Sequence, residues 1–388
     1  MKGLSVLAIS SACSISLSFL ATAQSTWAVP ESGSNNSFAT RDFLPSGTNT
    51  VDGELSYNSV DFFTFSGLDP GSLFTARINS DVVDPLLGLL DDSGNILAIN
   101  DDKADNSVLS LLTGKVPESG ILNFGVSGLR DISLTGDHFE SGAYSLSFNT
   151  TPFPRPSTNA TLINGGFEIG DFSGWTTLGE TNIETAGLGS GPTEGTFQAL
   201  LSTAGAAFAG SIIEEFLGLD PGSLDQLGAS LDVLPFPGGV ASQGSAIRQT
   251  FTANAGDMLT FDWNFLTNET ASFIPLNDFS FVSISSLSAL GTTFPPAGPL
   301  SMTQFFQETG FQPFSFTIPT TGTYTLGIGV TDWRDTTKDS VLLVDNVQLA
   351  SVPEPTSTLG LLAFGALGAG SILKRKQRHK GEAVTTRS

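Results

Sequence analysis

The richest group of oxygen ligands for a metal ion lies between residues 100 and 106. Its members are Asn100, Asp101, Asp102, Asp105 and Asn106. Calcium binds six to eight oxygens from carboxylates, amides and carbonyls, so this run predicts a calcium-binding loop. The spacing differs from that of an EF-hand, and Lys103 interrupts the run. A solvated turn rich in Asp and Asn is therefore the competing interpretation.

No residues with the spacing of a known catalytic centre occur in the sequence. The motifs G-x-S-x-G and H-E-x-x-H and the phosphate-binding P-loop are absent. Only His138, His379 and Cys13 could supply nitrogen or sulfur ligands, which excludes a Cys- or His-rich metal site. His138 has acidic neighbours in a predicted loop and is expected to be solvated. A glycosidase needs only two carboxylates, so a secreted carbohydrate-active hydrolase stays an alternative to a non-catalytic protein.

Trp333 is the one candidate for a sugar contact. It lies between charged residues in the sequence D-W-R-D, which predicts an exposed loop between two strands. An exposed indole could stack there on a sugar ring. Trp175 is expected in the core, because a large indole can anchor a sandwich and is costly to expose. Trp263 is expected there too, because it alternates with Phe261 and Phe265 and shares a strand face with them.

The composition excludes several classes of protein. The chain of 388 residues has 16 basic and 38 acidic side chains and a net charge of −22, so it lacks the basic face that nucleic acids require. A single cysteine excludes a disulfide framework. With 39% hydrophobic residues the chain can build a core, and its 43 glycines and 30 phenylalanines favour strands and turns over helices.

The N-terminus has the three parts of a secretory signal peptide. Lys2 supplies the positive charge, residues 4–20 are apolar, and Ala21-Thr22-Ala23 forms the cleavage site. Residues 1–23 are therefore predicted to direct export through the Sec translocon. A lipidated Cys13 is the alternative, but the residue three positions before it is not the expected leucine.

The C-terminus also has three parts in a fixed order. They are the motif Val352-Pro353-Glu354-Pro355, an uncharged stretch over 356–373, and a basic cluster over 374–380. A helix of this length reaches about 27 Å, which is enough for the hydrocarbon core of a bilayer. We predict a single transmembrane helix over 356–373, with the basic cluster on the cytoplasmic side.

Residues 351–380 resemble the PEP-CTERM sorting signal of bacterial surface proteins. In that family the Pro-Glu-Pro element is recognised by an exosortase, a membrane-bound processing enzyme. The resemblance implies export, transient anchoring in the inner membrane, and processing near Pro353. The processed protein is then expected at the cell surface, in the outer envelope or outside the cell.

The remaining sequence predicts an all-β protein with two β-sandwich domains of the jelly-roll type. Runs such as 60–65, 73–78 and 121–126 have strand character and alternate with Asp- and Gly-rich turns. The predicted organisation is a linker over 24–50, a first sandwich over 51–149, a Pro-rich linker over 150–159 and a second sandwich over 160–350. One helix is predicted at 211–217 from the spacing of its apolar residues. The heptapeptide GLDPGSL occurs at 67–73 and 218–224, which predicts a recurrent turn.

The first sandwich resembles the bacterial pre-peptidase C-terminal (PPC-like) domain. The matching residues are the D-x-F-x-F strand with Asp61, Phe63 and Phe65, the stretch 84–102, and G-A-Y-S-L at 142–146. The resemblance implies a small accessory module. The aromatic-rich strand typical of that family is absent, since S-G-I-L-N-F takes its place.

The second sandwich resembles the galactose-binding-like jelly rolls, in an uncharacterised lineage associated with PEP-CTERM tails. The resemblance lies in N-G-G-F-E at 164–168, F-S-G-W at 172–175 and L-L-V-D-N-V-Q-L at 342–349. It implies that Glu168 and Asp345 help to hold a structural Ca²⁺ where the two ends of the domain meet. Polar residues on an edge strand are the alternative for both.

These features together predict a non-catalytic exported cell-surface or extracellular-matrix protein that binds glycan or exopolysaccharide. Its processing partners would be the Sec translocon and an exosortase, and structural Ca²⁺ is the only cofactor expected. A carbohydrate-active hydrolase and a purely structural envelope spacer are the alternatives. Nucleic acid is not expected as a partner.

Overall fold

The computed structural model describes two β-sandwiches, which confirms the all-β fold class. The described residues are 28–101, 108–154, 161–232, 238–269, 277–293 and 298–351. The signal peptide, the sorting motif at 352–355, the predicted transmembrane helix and the basic cluster lie outside them.

The first sandwich consists of two five-stranded sheets in the orders β1-β3-β10-β5-β8 and β2-β4-β9-β6-β7. Its strands are β1 (Val29–Pro30), β2 (Asp42–Phe43), β3 (Thr50–Leu55), β4 (Asp61–Ser66), β5 (Leu73–Asn79), β6 (Pro85–Leu90), β7 (Ile96–Asn100), β8 (Leu111–Lys115), β9 (Ile121–Gly128) and β10 (Gly142–Thr151). The predicted strands of this domain are present with small shifts at their ends.

Four phenylalanines form the centre of the first core. Phe65, Phe74, Phe124 and Phe148 pack with ring centroids 5.1–6.2 Å apart, partly edge to face, which is a favourable arrangement for aromatic rings. They come from β4, β5, β9 and β10, so the cluster joins both sheets. Strand alternation explains this, because each aromatic residue occupies an inward position of its strand.

The segment before β3 is part of the first sandwich. β1 pairs with β3 in parallel, and β2 pairs with β4 in parallel. The expectation that residues 24–50 form a linker is therefore wrong for these strands. Each has only two residues, which is too short to show alternation in a sequence.

The second sandwich has a five-stranded sheet, β11-β14-β20-β16-β17, and a six-stranded sheet, β12-β13-β21-β15-β18 with β19 also paired to β15. Its elements are β11 (Thr176–Leu178), β12 (Glu180–Glu184), β13 (Gln198–Ser202), α1 (Gly210–Leu217), α2 (Ser223–Leu231), β14 (Ala241–Ala253), β15 (Met258–Thr267), β16 (Phe279–Ser283), β17 (Leu287–Thr292), β18 (Gln307–Glu308), β19 (Gln312–Thr317), β20 (Gly322–Trp333) and β21 (Ser340–Ala350). We call the two sheets the β14 sheet and the β15 sheet.

Both faces of the β14 sheet are covered. Leu326, Ile328 and Val330 of β20 point inward, to the core between the sheets. The intervening Gly327 and Gly329 face outward, where an added Cβ would meet Leu217 of α1 and Phe281 at 2.7 and 2.4 Å. The glycines therefore let the helical layer lie close to the sheet. The predicted helix at 211–217 is confirmed as α1, whereas α2 was not expected.

The two copies of GLDPGSL adopt the same turn. The first and fifth residues have positive φ in both copies, 73° and 80° for Gly67 and Gly71 and 72° and 80° for Gly218 and Gly222. These angles are easily reached only by glycine. The prediction of recurrent turn chemistry is confirmed, although the first copy leads into a strand and the second into a helix.

The two sandwiches contact each other beside these turns. Leu73 of the first sandwich belongs to the same apolar cluster as Phe216 and Leu224 of the second. Lys115 and Glu215 form an ion pair of 2.6 Å across the same junction. Both side chains are partly exposed, so the apolar cluster contributes more to the contact than the ion pair does.

Candidate functional site

A groove of about 310 Å³ lies on the outer face of the β15 sheet. Strand β12 supplies one wall, because Glu180, Asn182 and Glu184 are two residues apart and point to the same side. Strands β13 and β21 supply the floor with Leu200, Ser202 and Val341. The remaining lining residues are Leu188, Ala204, Asn268, Gln304, Phe305 and Asp339.

The groove combines an apolar floor with polar walls. Leu200, Val341 and Phe305 belong to one buried apolar cluster beneath it. Above them, Asn182 Nδ2 donates to Glu180 Oε1 at 3.2 Å, which orients both side chains. Carboxylates accept hydrogen bonds from hydroxyl groups, and amides both accept and donate them. An apolar floor can contact the C–H face of a sugar ring.

Exposed apolar side chains continue from Phe305 along the chain. Leu300, Met302 and Phe306 are 69%, 86% and 46% exposed. Phe306 is held by its backbone N–H, which donates to Asn268 Oδ1 at 3.1 Å. These side chains extend the apolar surface beyond the groove.

Trp333 is not available to a ligand. The expectation of an exposed loop is wrong, because Trp333 is the last residue of β20 and is fully buried. Its ring lies against Gly228 and Gly239, where an added Cβ would be 2.4 and 2.3 Å away. Its Nε1 donates to Asp232 at 3.1 Å. Trp175 and Trp263 are buried as predicted.

The carboxylates of Glu168 and Asp345 bind one shared loop. Glu168 Oε1 accepts from the N–H groups of Thr196 and Phe197, both at 2.9 Å. Asp345 Oδ2 accepts from the N–H groups of Thr193 and Glu194 at 2.7 and 2.9 Å. These donors occupy oxygens that a cation would need, so the arrangement shown suits loop anchoring better than metal binding. A structural Ca²⁺ at this pair stays a prediction.

The Asn-Asp run is described only at its start. Asn100 ends β7, and its Oδ1 accepts from the N–H of Leu111 at 2.9 Å. The backbone carbonyl of Asp101 accepts from Ser110 Oγ at 2.7 Å. Asp102 and Asp105 lie outside the described residues, so calcium at this run also stays a prediction. In the described part of the chain, no group of three or more His, Cys, Asp or Glu could hold a metal ion.

His138 is buried rather than solvated. It is 3% exposed, and its Nε2 lies 2.6 Å from the carbonyl oxygen of Ser59. Its Nδ1 accepts from the N–H of Glu140 at 3.1 Å. Both ring nitrogens are thereby engaged in holding the loop, which leaves His138 without the access that a catalytic base requires.

Asp61 is the most perturbed acid of the first sandwich. Asp61 is the first residue of β4, and its Oδ2 accepts a hydrogen bond from the Tyr144 hydroxyl at 2.9 Å. Burial, together with the charge of Glu31, raises the pKa of Asp61 to about 7. The phenol is almost fully enclosed as well, and burial raises the pKa of Tyr144. The hydrogen bond between Asp61 and Tyr144 connects β4 to β10, which lie in different sheets, so the pair stabilises the first sandwich.

The groove was missed from the sequence. Its signal is the alternation of Glu180, Asn182 and Glu184 along one short strand. That alternation marks a polar face but does not show which apolar residues lie beside it. The floor comes from β13 and β21, about 20 and 160 residues further along the chain, which become neighbours of β12 only through sheet order.

Comparison with known proteins identifies the tail. The family model described as the PEP-CTERM protein-sorting motif matches residues 351–376. The chain therefore carries a PEP-CTERM sorting motif, as its residues predicted. A search of curated proteins finds no match. Among the described residues, no helix is long and apolar enough to span a membrane.

Several solved structures match parts of this chain. The carbohydrate-binding module TmCBM61, solved with β-1,4-galactotriose, is 12% identical and covers 50% of this chain and 100% of its own, with a TM-score of 0.27. The pre-peptidase C-terminal domain of a Bacillus anthracis collagenase is 18% identical, and the match covers 28% of this chain and 92% of the collagenase domain, with a TM-score of 0.21. The CBM22 tandem of Paenibacillus barcinonensis Xyn10C is 11% identical, and the match covers 75% of this chain and 82% of the tandem, with a TM-score of 0.25.

Proposed function

We propose that this protein is a non-catalytic cell-surface or extracellular-matrix protein that binds extracellular polysaccharide through the groove on the β15 sheet. The observation that carries the proposal is the groove itself, with an apolar floor beneath a row of carboxylate and amide side chains. Polysaccharides offer hydroxyl groups at their edges and C–H groups on their ring faces. A groove with polar side chains above an apolar floor suits a chain of sugars better than a small apolar ligand.

The route to the surface follows from the two ends of the chain. The signal peptide would deliver the protein to the Sec translocon, and the PEP-CTERM motif would then be processed by an exosortase. The tail would anchor the protein in the inner membrane until that step. Both sandwiches lie before the motif, so the folded part would keep its binding function after processing.

Replacing both prolines of the sorting motif should block processing. We expect Pro353→Ala/Pro355→Ala to remain in the membrane fraction at its unprocessed size, because the recognition element has lost its fixed backbone conformation. Immunoblots of cell fractions, with the native chain alongside, measure this. The matched control is Thr356→Ala, just outside the motif. Release of the double variant at the native level would contradict exosortase processing.

Removing two polar groups from the groove wall should weaken polysaccharide binding about tenfold or more. Each lost hydrogen bond costs about 0.5–1.5 kcal/mol, and those of charged groups cost more. We expect this loss for Asn182→Ala/Glu184→Ala in affinity electrophoresis against a panel of bacterial polysaccharides. Thr181→Ala is the control, because Thr181 points to the other face of β12.

The same assay separates the alternatives. A native chain that binds no polysaccharide would leave the structural envelope spacer as the better assignment. Equal affinity of the native chain and the double variant would remove the groove from the proposal. Release of reducing sugar from a bound polysaccharide would indicate a hydrolase instead.

A further inference from the structure

Two buried aspartates oppose each other on adjacent strands of the second sandwich. β16 and β20 are antiparallel with Phe279 opposite Thr331, so the next positions, Asp278 and Asp332, are also opposite. Both side chains are fully buried. Like charges that face each other across a strand pair destabilise a sheet, so this arrangement requires a compensating partner.

Asp332 occupies a core position of its strand. Leu326, Ile328 and Val330 point inward along β20, and the same alternation directs Asp332 into the space between the two sheets. A carboxylate thus stands where the pattern of the strand calls for an apolar residue. Neither of its oxygens has a hydrogen-bond partner of standard geometry among the described residues, and the nearby Thr203 hydroxyl only partly offsets the effect of burial on its pKa. A buried carboxylate without partners is costly, because it has lost its hydration and gained nothing in return.

The opposite sheet faces this pair with hydroxyl groups. Ser340, Thr203 and Thr267 belong to or adjoin β21, β13 and β15, and all three are fully buried. Ser340 Oγ donates to Asp278 Oδ2 at 2.7 Å and lies 2.8 Å from Thr267 Oγ1. The N–H of Ser340 donates to Thr203 Oγ1 at 3.0 Å. Hydroxyl oxygens therefore surround the two carboxyl groups, and carboxylate and hydroxyl oxygens are the ligands that hard cations prefer.

Negative charge predominates among the described groups that act on the pair. Arg334, two residues beyond Asp332, forms its ion pair with Asp232 at 2.6 Å. Burial raises the pKa of Asp278 to about 7, and burial together with the charge of Asp278 raises the pKa of Asp332. Asp335 and Asp339 add further negative charge.

We infer that the space between Asp278 and Asp332 binds a divalent cation, Ca²⁺ under extracellular conditions. Two carboxylates balance the charge of one such ion, and the neighbouring hydroxyl and backbone oxygens supply further ligands. The site differs from the pair Glu168 and Asp345 in one of its carboxyl groups: Asp278 accepts hydrogen bonds from Trp333 and Ser340, whereas both oxygens of Asp332 remain for a cation. A site with only two carboxylates should be weak, with a Kd of about 10⁻⁴ to 10⁻³ M, as in other extracellular modules.

Calorimetric titration with calcium tests the site. The full chain, solubilised in mild detergent and freed of metal with EDTA, should bind CaCl₂ and unfold at a higher temperature when calcium is present. Asp332→Asn should weaken this binding at least tenfold. Without calcium, this variant should unfold at a higher temperature than the native chain, because burial penalises the charged form of the carboxyl group that the amide replaces. Glu168→Gln is the matched control and should keep the binding.

Two results would overturn the inference. A native chain that shows no binding up to 10 mM calcium, a ceiling about ten times the weakest expected Kd, would mean that the two carboxyls share protons only. Calcium binding that is unchanged in Asp332→Asn would place the cation elsewhere, and its loss in Glu168→Gln would then identify that place.

Terbium luminescence gives a second measurement that leaves the carboxylates intact. Tb³⁺ replaces Ca²⁺ at oxygen sites and emits when a nearby indole is excited. Trp333 follows Asp332 directly, and its backbone N–H donates to Asp278 Oδ1 at 3.1 Å. Emission on tryptophan excitation should therefore fall several-fold in Trp333→Phe but not in Trp175→Phe. Emission that depends on Trp175 instead would contradict the assignment, even if Asp332→Asn fails to fold.

Discussion

Replacing Gly165 by alanine is expected to destabilise the second sandwich by about 3 kcal/mol or more, because the added methyl group has no space. A Cβ on Gly165 would lie 1.9 Å from the carbonyl oxygen of Val347. That oxygen belongs to the backbone of β21 in the centre of a sheet, so it cannot rotate away. The strand itself would have to move, with loss of the hydrogen bond from the Val347 N–H to the Gly165 carbonyl.

The measurement is thermal unfolding followed by circular dichroism. For a domain of this size, 3 kcal/mol corresponds to a fall in the midpoint of about 6–12 °C. Gly166→Ala is the matched control, because its Cβ would meet only the end of the flexible Glu194 side chain, at 2.8 Å. Equal midpoints for the two variants would contradict the close approach of the opening segment to β21.

This contact explains why the opening and closing motifs of the second sandwich could be linked from the sequence. The resemblance to jelly rolls implied that the ends of the domain meet, with Glu168 and Asp345 between them. The structure brings the ends together through Gly165 and Val347 and through the shared loop at 193–197. The neighbourhood was predictable, whereas the partners of the two carboxylates were not.

Strands and helices whose apolar residues recur at a regular spacing were predictable from the sequence. Strand β15 carries Phe261, Trp263 and Phe265 at alternate positions, and all three are buried together. Helix α1 was predicted from its apolar spacing and ends at Gly218, whose left-handed backbone caps it. In both cases the signal is local, because the residues that share a face lie within a few positions of one another.

Elements that depend on distant partners were not predictable. α2 contains Gly228 in its middle, which weakens a helical pattern. The reason for this glycine is the ring of Trp333, about a hundred residues later, which fills the space beside it. The buried position of Asp332 has a local signal, the alternation with Leu326, Ile328 and Val330, but the acidic residues that follow favoured an exposed loop instead.

Replacing Trp333 by alanine is expected to cost about 3–5 kcal/mol, because a fully buried indole leaves a large cavity. The ring holds three parts of the second sandwich together. It packs edge to face on Phe279 with centroids 6.1 Å apart, it fills the space left by Gly228 and Gly239, and its Nε1 donates to Asp232. Its removal would also take one hydrogen-bond donor from Asp232, whose ion pair with Arg334 would remain.

Thermal unfolding and polysaccharide binding should be measured on the same Trp333→Ala preparation. We expect a midpoint lower by about 6–20 °C and an unchanged affinity at temperatures where the variant is folded, since the ring touches neither the floor nor the walls of the groove. Phe139→Ala is the control, because Phe139 is 85% exposed and lies in the first sandwich, away from the groove, so its truncation should change stability by less than about 0.5 kcal/mol. An unchanged midpoint with lost binding would mean that Trp333 contacts the ligand, as its charged sequence neighbours had suggested.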